Sequence, residues 1–163
     1  MKISKILVPL DGSPLAEAAV PKAIELAKEL PGVSIVLLRA AEASALGVDP
    51  IEAQVDAVRE AETYLDGMAR QLRAEGVKKV ETSVWYGPPT PSIVEAADIG
   101  RADLIVMSTH GRSGLGRLLL GSVAESVLRA THVPILLLHP AGAPIARPLA
   151  ANDTRIMKEP VHV

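Results

Sequence analysis

The sequence predicts an α/β fold, an open five-stranded parallel sheet with helices on both faces. Two observations predict it. Short apolar runs of strand length alternate with longer segments of helical period, and a β-α-β-α-β-α-β-α-β order requires a parallel sheet joined by right-handed crossovers. The apolar content is also almost wholly aliphatic, with 48% hydrophobic residues but only 2% aromatic and no Phe. Closely packed helices over parallel strands use such a composition.

The elements follow in order. Ile6-Leu7-Val8 is a buried strand stopped by Pro9 and the turn residues Asp11-Gly12. Ser13-Pro14 opens a helix, Ser as N-cap and Pro at the first helical position. Its apolar face carries Leu15, Ala19, Ala23, Leu26 and Leu30, and Pro21 should kink it or remove a hydrogen bond near Glu17. Val33 to Leu38 is the second strand, and Arg39 to Pro50 reads as a loose, Ala-rich connection. A long helix runs from about Ile51 to Glu75, with Val55, Val58, Ala61, Leu65, Met68, Ala69 and Leu72 on one side and Gly76 closing it. Val80 to Tyr86 is the third strand, Pro91 to Ile99 a short helix, and Asp103 to Met107 the fourth strand. A glycine-bearing loop from Ser108 to Gly121 leads into a helix over Val123 to Ala130, and Val133 to Leu138 is the last strand. From Pro140 the pattern ends in a proline-bearing tail, read as an extended arm held by a neighbouring subunit. The division is therefore one domain over 1–139 and an arm over 140–163.

Bulk properties exclude several function classes. A formal net charge of −2 offers no basic footprint for nucleic acid and no polybasic membrane signal. Without Cys there are no disulfides, thiol nucleophiles or Cys-ligated metals. Met1 to Val8 is too short for a signal peptide, and no apolar run reaches the length of a membrane span. The expectation is a soluble, cytoplasmic protein.

Ligands of open parallel sheets sit beyond the carboxyl ends of the strands, near the switch in strand order. Three segments fall there: Pro9-Leu10-Asp11-Gly12-Ser13, Arg39-Ala40, and Ser108 to Ser122. In the third, Gly111 and Gly121 flank a nine-residue spacer, Arg112 to Leu120. Both glycines permit close backbone approach, and Gly121-Ser122 directly precedes a helix whose free N–H groups favour an anion such as phosphate. Arg112 and Arg117 add positive charge. Ser122 with Glu125 equally fits a capping box that needs no ligand. Asp11 reads both as an Asx-turn residue and as a polar contact to a ribose or metal. His110 pairs with no nucleophile or orienting acid and reads as a loop residue. His132, His139 and His162 are too scattered for a metal site, and Trp85 and Tyr86 read as packing or interface residues. The run Arg59-Glu60-Ala61-Glu62 reads as a solvated helix face.

On Ile6 to Ser13, Gly87 with its prolines, and above all Asp103 to Pro134, the chain resembles the universal stress protein family up to about His139. The ATP-binding members carry G-x2-G-x9-G-[ST] after the fourth strand, which Gly111, Gly121 and Ser122 match, with Ser108 in place of the first glycine. The resemblance implies a Rossmann-like fold of the adenine nucleotide alpha hydrolase-like type that binds ATP with Mg²⁺. It places Pro9, Leu10 and Asp11 along the nucleoside, and the Ala40 backbone at the adenine. Met107 and Ser108 would line the ribose and α-phosphate side, and Gly111, Arg112, Gly121, Ser122 and Val123 would hold phosphates. It also implies a homodimer through the last strand, and no catalytic residue is assigned. The expected function is a nucleotide-dependent stress-response binding module; the alternatives are a dimeric scaffold that binds no nucleotide and a slow ATP hydrolase.

Overall fold

Five strands form the sheet, four of them largely aliphatic and the third in chain order, at one edge, more polar. They are β1 (Lys5–Pro9), β2 (Ser34–Ala41), β3 (Val80–Tyr86), β4 (Leu104–Ser108) and β5 (Ile135–Leu138), all parallel in the order β3-β2-β1-β4-β5. The computed structural model describes residues 2–43, 49–109 and 120–139. The 140–163 arm and the residues Gly111, Arg112 and His110 lie outside them.

Handedness assigns the helices to faces. From β1 the chain steps to β2 and β3 in one direction, then crosses back to β4 and β5 on the other side of β1. Right-handed crossovers therefore put α1 (Pro14–Glu17), α2 (Val20–Glu29) and α3 (Pro50–Ala74) on one face, and α4 (Pro89–Ile99) and α5 (Ser122–Ala130) on the other. Two aliphatic cores result. Ile6, Val8, Ile35, Leu37 and Val106 meet Ala23, Leu65 and Leu72 on the first face. Leu7, Leu38, Ile105 and Met107 meet Ile93, Ala97, Ala124 and Val127 on the second. The small alanines let the helices approach the sheet closely, as the composition anticipates.

The structure sharpens several boundaries. Pro21 does more than kink the first helix. Lacking an N–H for the Glu17 carbonyl, it divides the segment into α1 and α2 and occupies the first turn of α2, where no N–H is needed. Asp49 starts α3 by accepting hydrogen bonds from the N–H groups of Ile51 and Glu52 at 2.8 and 3.3 Å, with Pro50 at the first helical position. Gly76, at φ +98, follows the end of that helix in the left-handed conformation glycine favours. Helix α4 begins two residues earlier than read, because prolines in a first turn cost no hydrogen bond.

Two corrections matter more. Strand β2 continues through Arg39, Ala40 and Ala41 rather than ending at Leu38, because β3 pairs with it as far as Ala41 and Tyr86. The apolar side of α3 is not buried along its whole length: Val55 is 48% exposed, and the buried positions are Ala61, Leu65, Ala69 and Leu72.

Candidate functional site

β1 and β4 diverge where the chain reverses direction across the sheet, and a cleft of about 720 Å³ opens at their carboxyl ends. Pro9, Leu10 and Asp11 line it from β1, Ala40 from β2, Met107 and Ser108 from β4, and Gly121, Ser122 and Val123 from the start of α5. Residues read from three distant segments thus surround one space. A volume of this size accommodates a ligand as large as a cofactor.

One wall is the beginning of α5. The Gly121 N–H donates to the Thr109 carbonyl at 2.5 Å, so the chain returns to β4 where it left it. This bond holds Gly121 extended (φ −64, ψ 151) as the N-cap, and Ser122 is already the first helical residue. The capping-box reading is therefore overturned: the N-cap is Gly121, which has no side chain to cap α5. The N–H groups of Ser122, Val123 and Ala124 have no partner within the helix, and the positive end of its dipole faces the cleft-lining residues. Thr109 fastens the neighbouring edge, its N–H donating to the Leu138 carbonyl at 2.8 Å and its hydroxyl 3.4 Å from Nδ1 of His139.

The opposite wall is a strand end. Along β2, Ser34 and Leu38 bond towards β1, whereas Ile35 and Ala41 bond towards β3. Ala40 therefore directs its N–H and C=O towards β1 as well. There β1 has already ended at Pro9, its last residue in register with Leu38, and the Leu10 N–H takes the Leu38 carbonyl at 2.8 Å. Among the described residues, the Ala40 main chain has no backbone partner on that side. A donor and an acceptor are thus presented side by side at the cleft.

Between the walls, Asp11 forms the Asx turn read from sequence, its carboxylate accepting from the Ser13 N–H at 2.9 Å. Ser13 in turn caps α1 by accepting from the Ala16 N–H at 3.1 Å. Among the described residues no group of three or more His, Asp or Glu stands together as a metal site. No described helix is long and apolar enough to cross a membrane.

The cleft also holds residues whose roles the sequence reading missed. Arg39 is buried at the end of β2, and its Nη2 donates to Oε1 of Glu60 at 2.8 Å, so Glu60 belongs to more than a solvated face. The guanidinium lies 5.0 Å from the centroid of the Tyr64 ring. The Tyr64 hydroxyl donates to Oε1 of Glu17 at 2.8 Å. Burial first, and that hydrogen bond second, push the Tyr64 phenol well above its ordinary range, so it stays protonated. The available signal was an arginine inside an apolar strand, Leu37-Leu38-Arg39-Ala40-Ala41. Trp85 is half-buried against the second core, and Tyr86 is exposed.

A doubly wound parallel sheet with a cleft at its switch point, a helix N-terminus on one wall and unpaired strand-end amides on the other defines an α/β protein of the crevice-binding class. The sequence profile of the Universal stress protein family matches residues 2–139, and the chain belongs to that family. It is 36% identical over 137 residues to universal stress protein MJ0531 of Methanocaldococcus jannaschii, covering 81% of this chain and 79% of the relative. Among solved structures it is similar to MJ0577 of the same organism, with a TM-score of 0.78 and 28% identity over 87% of this chain and 99% of the other. A universal stress protein of Archaeoglobus fulgidus in complex with dAMP shares the fold at TM-score 0.62 and 24% identity, over 84% of this chain and 98% of the other.

Proposed function

We propose that this protein binds an adenine nucleotide, ATP with Mg²⁺, in the cleft and acts as a cytoplasmic, nucleotide-dependent stress-response module rather than a rapid catalyst. The observation that carries the reading is the pairing of two complementary walls across one cleft. The unpaired N–H and C=O of Ala40 match the acceptor and donor on the Watson–Crick edge of adenine. The free N–H groups of Ser122, Val123 and Ala124 suit a phosphate. Pro9, Leu10 and Asp11 would border the nucleoside, with Asp11 beside the ribose or the metal. Met107 and Ser108 would line the sugar and α-phosphate side. Gly111 belongs to the phosphate motif read from sequence, and Arg112 beside it adds positive charge for the phosphates.

Equilibrium dialysis of purified, nucleotide-stripped protein against labelled ATP tests this, with Asp11→Ala alongside. Saturable binding weakened in the variant is expected. Absence of binding at millimolar ATP would sink the proposal in favour of a scaffold that binds no nucleotide.

The proposed assembly is a homodimer through β5. Pro134, just before that strand, and Leu138 within it accept main-chain bonds from Ile105 of β4 and from Thr109 just past it, so the alternating Ile135 and Leu137 turn their main-chain groups to the open edge. Pairing with a second copy would satisfy that edge and cover the partly buried side chains of β5.

A further inference from the structure

We propose that Arg39, held between Glu60 and Tyr64, is a positioning residue that fixes the first half of α3 as a wall of the cleft. The inference deepens the nucleotide-binding reading and rests on it for its functional consequence.

Helix α3 has 25 residues, yet its buried positions, Ala61, Leu65, Ala69 and Leu72, all lie beyond its first eleven. From Pro50 to Glu60 no residue is buried, and Ile51 is 73% exposed. A helical stretch this short holds poorly on its own in water, so attachment to the body decides where it sits. Ala57 and Glu60 nevertheless line the cleft. Among the described residues, the one ion pair that joins two different elements is Arg39–Glu60, and it fastens this half of α3 to the end of β2.

The chemistry suits an arginine. A guanidinium can direct an edge N–H at a carboxylate while its face rests on an aromatic ring. Arg39 donates to Glu60 and sits over the Tyr64 ring, with 9% of its side chain exposed. Tyr64 then extends the connection to Glu17 of α1, the turn that follows Asp11. A chain Glu60–Arg39–Tyr64–Glu17 therefore links three cleft-forming segments: the α3 wall, the β2 end carrying Ala40, and the corner carrying Asp11. Glu60 itself is 72% exposed, so solvent screens the pair and its contribution to global stability is small. Its effect is local, on the placement of α3.

A double-mutant cycle on the full chain tests this, using Arg39→Met, Glu60→Gln and the pair together. Glu60→Gln changes an exposed side chain and leaves a foldable protein even if Arg39→Met does not fold. In ligand-free protein, each single change is expected to speed amide exchange over residues 54–60 about twofold to fivefold while residues 65–72 keep their protection. ATP affinity should fall by about twofold to fivefold, with the double variant no worse than either single one. Unchanged exchange over 54–60, strictly additive effects, or an equal loss of protection over 65–72 would each overturn the proposal. Should the wild-type protein bind no ATP, the functional reading fails while the exchange cycle still decides whether Arg39 positions α3.

Discussion

Gly121→Ala separates a glycine kept for folding from one kept for a ligand. At φ −64 and ψ 151, Gly121 occupies a region open to any residue, and alanine retains the N–H that bonds to Thr109. Two small effects on stability oppose each other. Restricting the unfolded chain stabilises by about 0.4–1 kcal/mol, and alanine is a poorer N-cap than glycine by a similar amount, roughly 0.5–1 kcal/mol. The sum is near zero, so Tm should move by less than about 4 °C for a chain of this size. Ligand binding should respond differently. A methyl group at the entrance to α5 would hold a phosphate away from the Ser122 and Val123 N–H groups. Losing one charge-assisted hydrogen bond of about 1.5–3 kcal/mol weakens binding roughly 10- to 150-fold. Isothermal titration with ATP at fixed salt, beside thermal melts, measures both quantities. An affinity within about twofold of wild type, in a variant with unchanged Tm, would refute the placement of a phosphate at this helix start.

Two further outcomes are expected. Asp103 accepts hydrogen bonds from the Ser4 hydroxyl, the Ser4 N–H and the Lys5 N–H at 2.7–2.9 Å, and these bonds hold its carboxyl below the usual range, the hydroxyl contributing most. A depressed folded-state pKa means its stabilisation is complete above the unfolded value and is lost as pH falls through the folded one. The Tm gap between wild type and Asp103→Asn should therefore narrow from about pH 6 to about pH 2, and a constant gap would contradict the assignment. Leu137→Pro removes an N–H that faces the open edge of β5 and no bond to β4, so sedimentation should show the proposed dimer in the wild type and a folded monomer in the variant. A wild-type monomer would refute the proposed dimer, and a dimer that persists in the variant would place the interface elsewhere.

Local chemistry explains which features were legible in the sequence. Ser13-Pro14, Gly76 and Pro21 act through the backbone over a single turn, so that helix start, stop and distortion could be anticipated, whereas Pro50 was read as the end of a loop and is the first residue of α3. The central strands β1, β2 and β4 were visible because aliphatic residues dominate segments buried on both faces, and the edge strands β3 and β5 because short apolar or alternating runs stand between turn residues. What could not be read depended on neighbours remote in sequence. β2 extends past Leu38 only because β3 reaches further than β1. Ser122 is a helical residue rather than a cap because Gly121 is tied to Thr109, the residue just past the end of β4 and twelve positions earlier in the chain. The role of Glu60 was hidden for the same reason: its partner lies 21 residues away, on a strand.

The sequence by itself determined the parallel α/β class, the order of the elements and the three segments that meet at the carboxyl ends of the strands. Those follow from period, punctuation and the handedness of crossovers, which are properties of short stretches of chain. Only the tertiary structure decided which backbone groups at those ends go unpaired. It also decided that the start of α5 and the end of β2 face one cleft, and that a buried arginine ties α3 to it. Unequal strand lengths and packing across the sheet set these outcomes, and no short stretch of chain contains them.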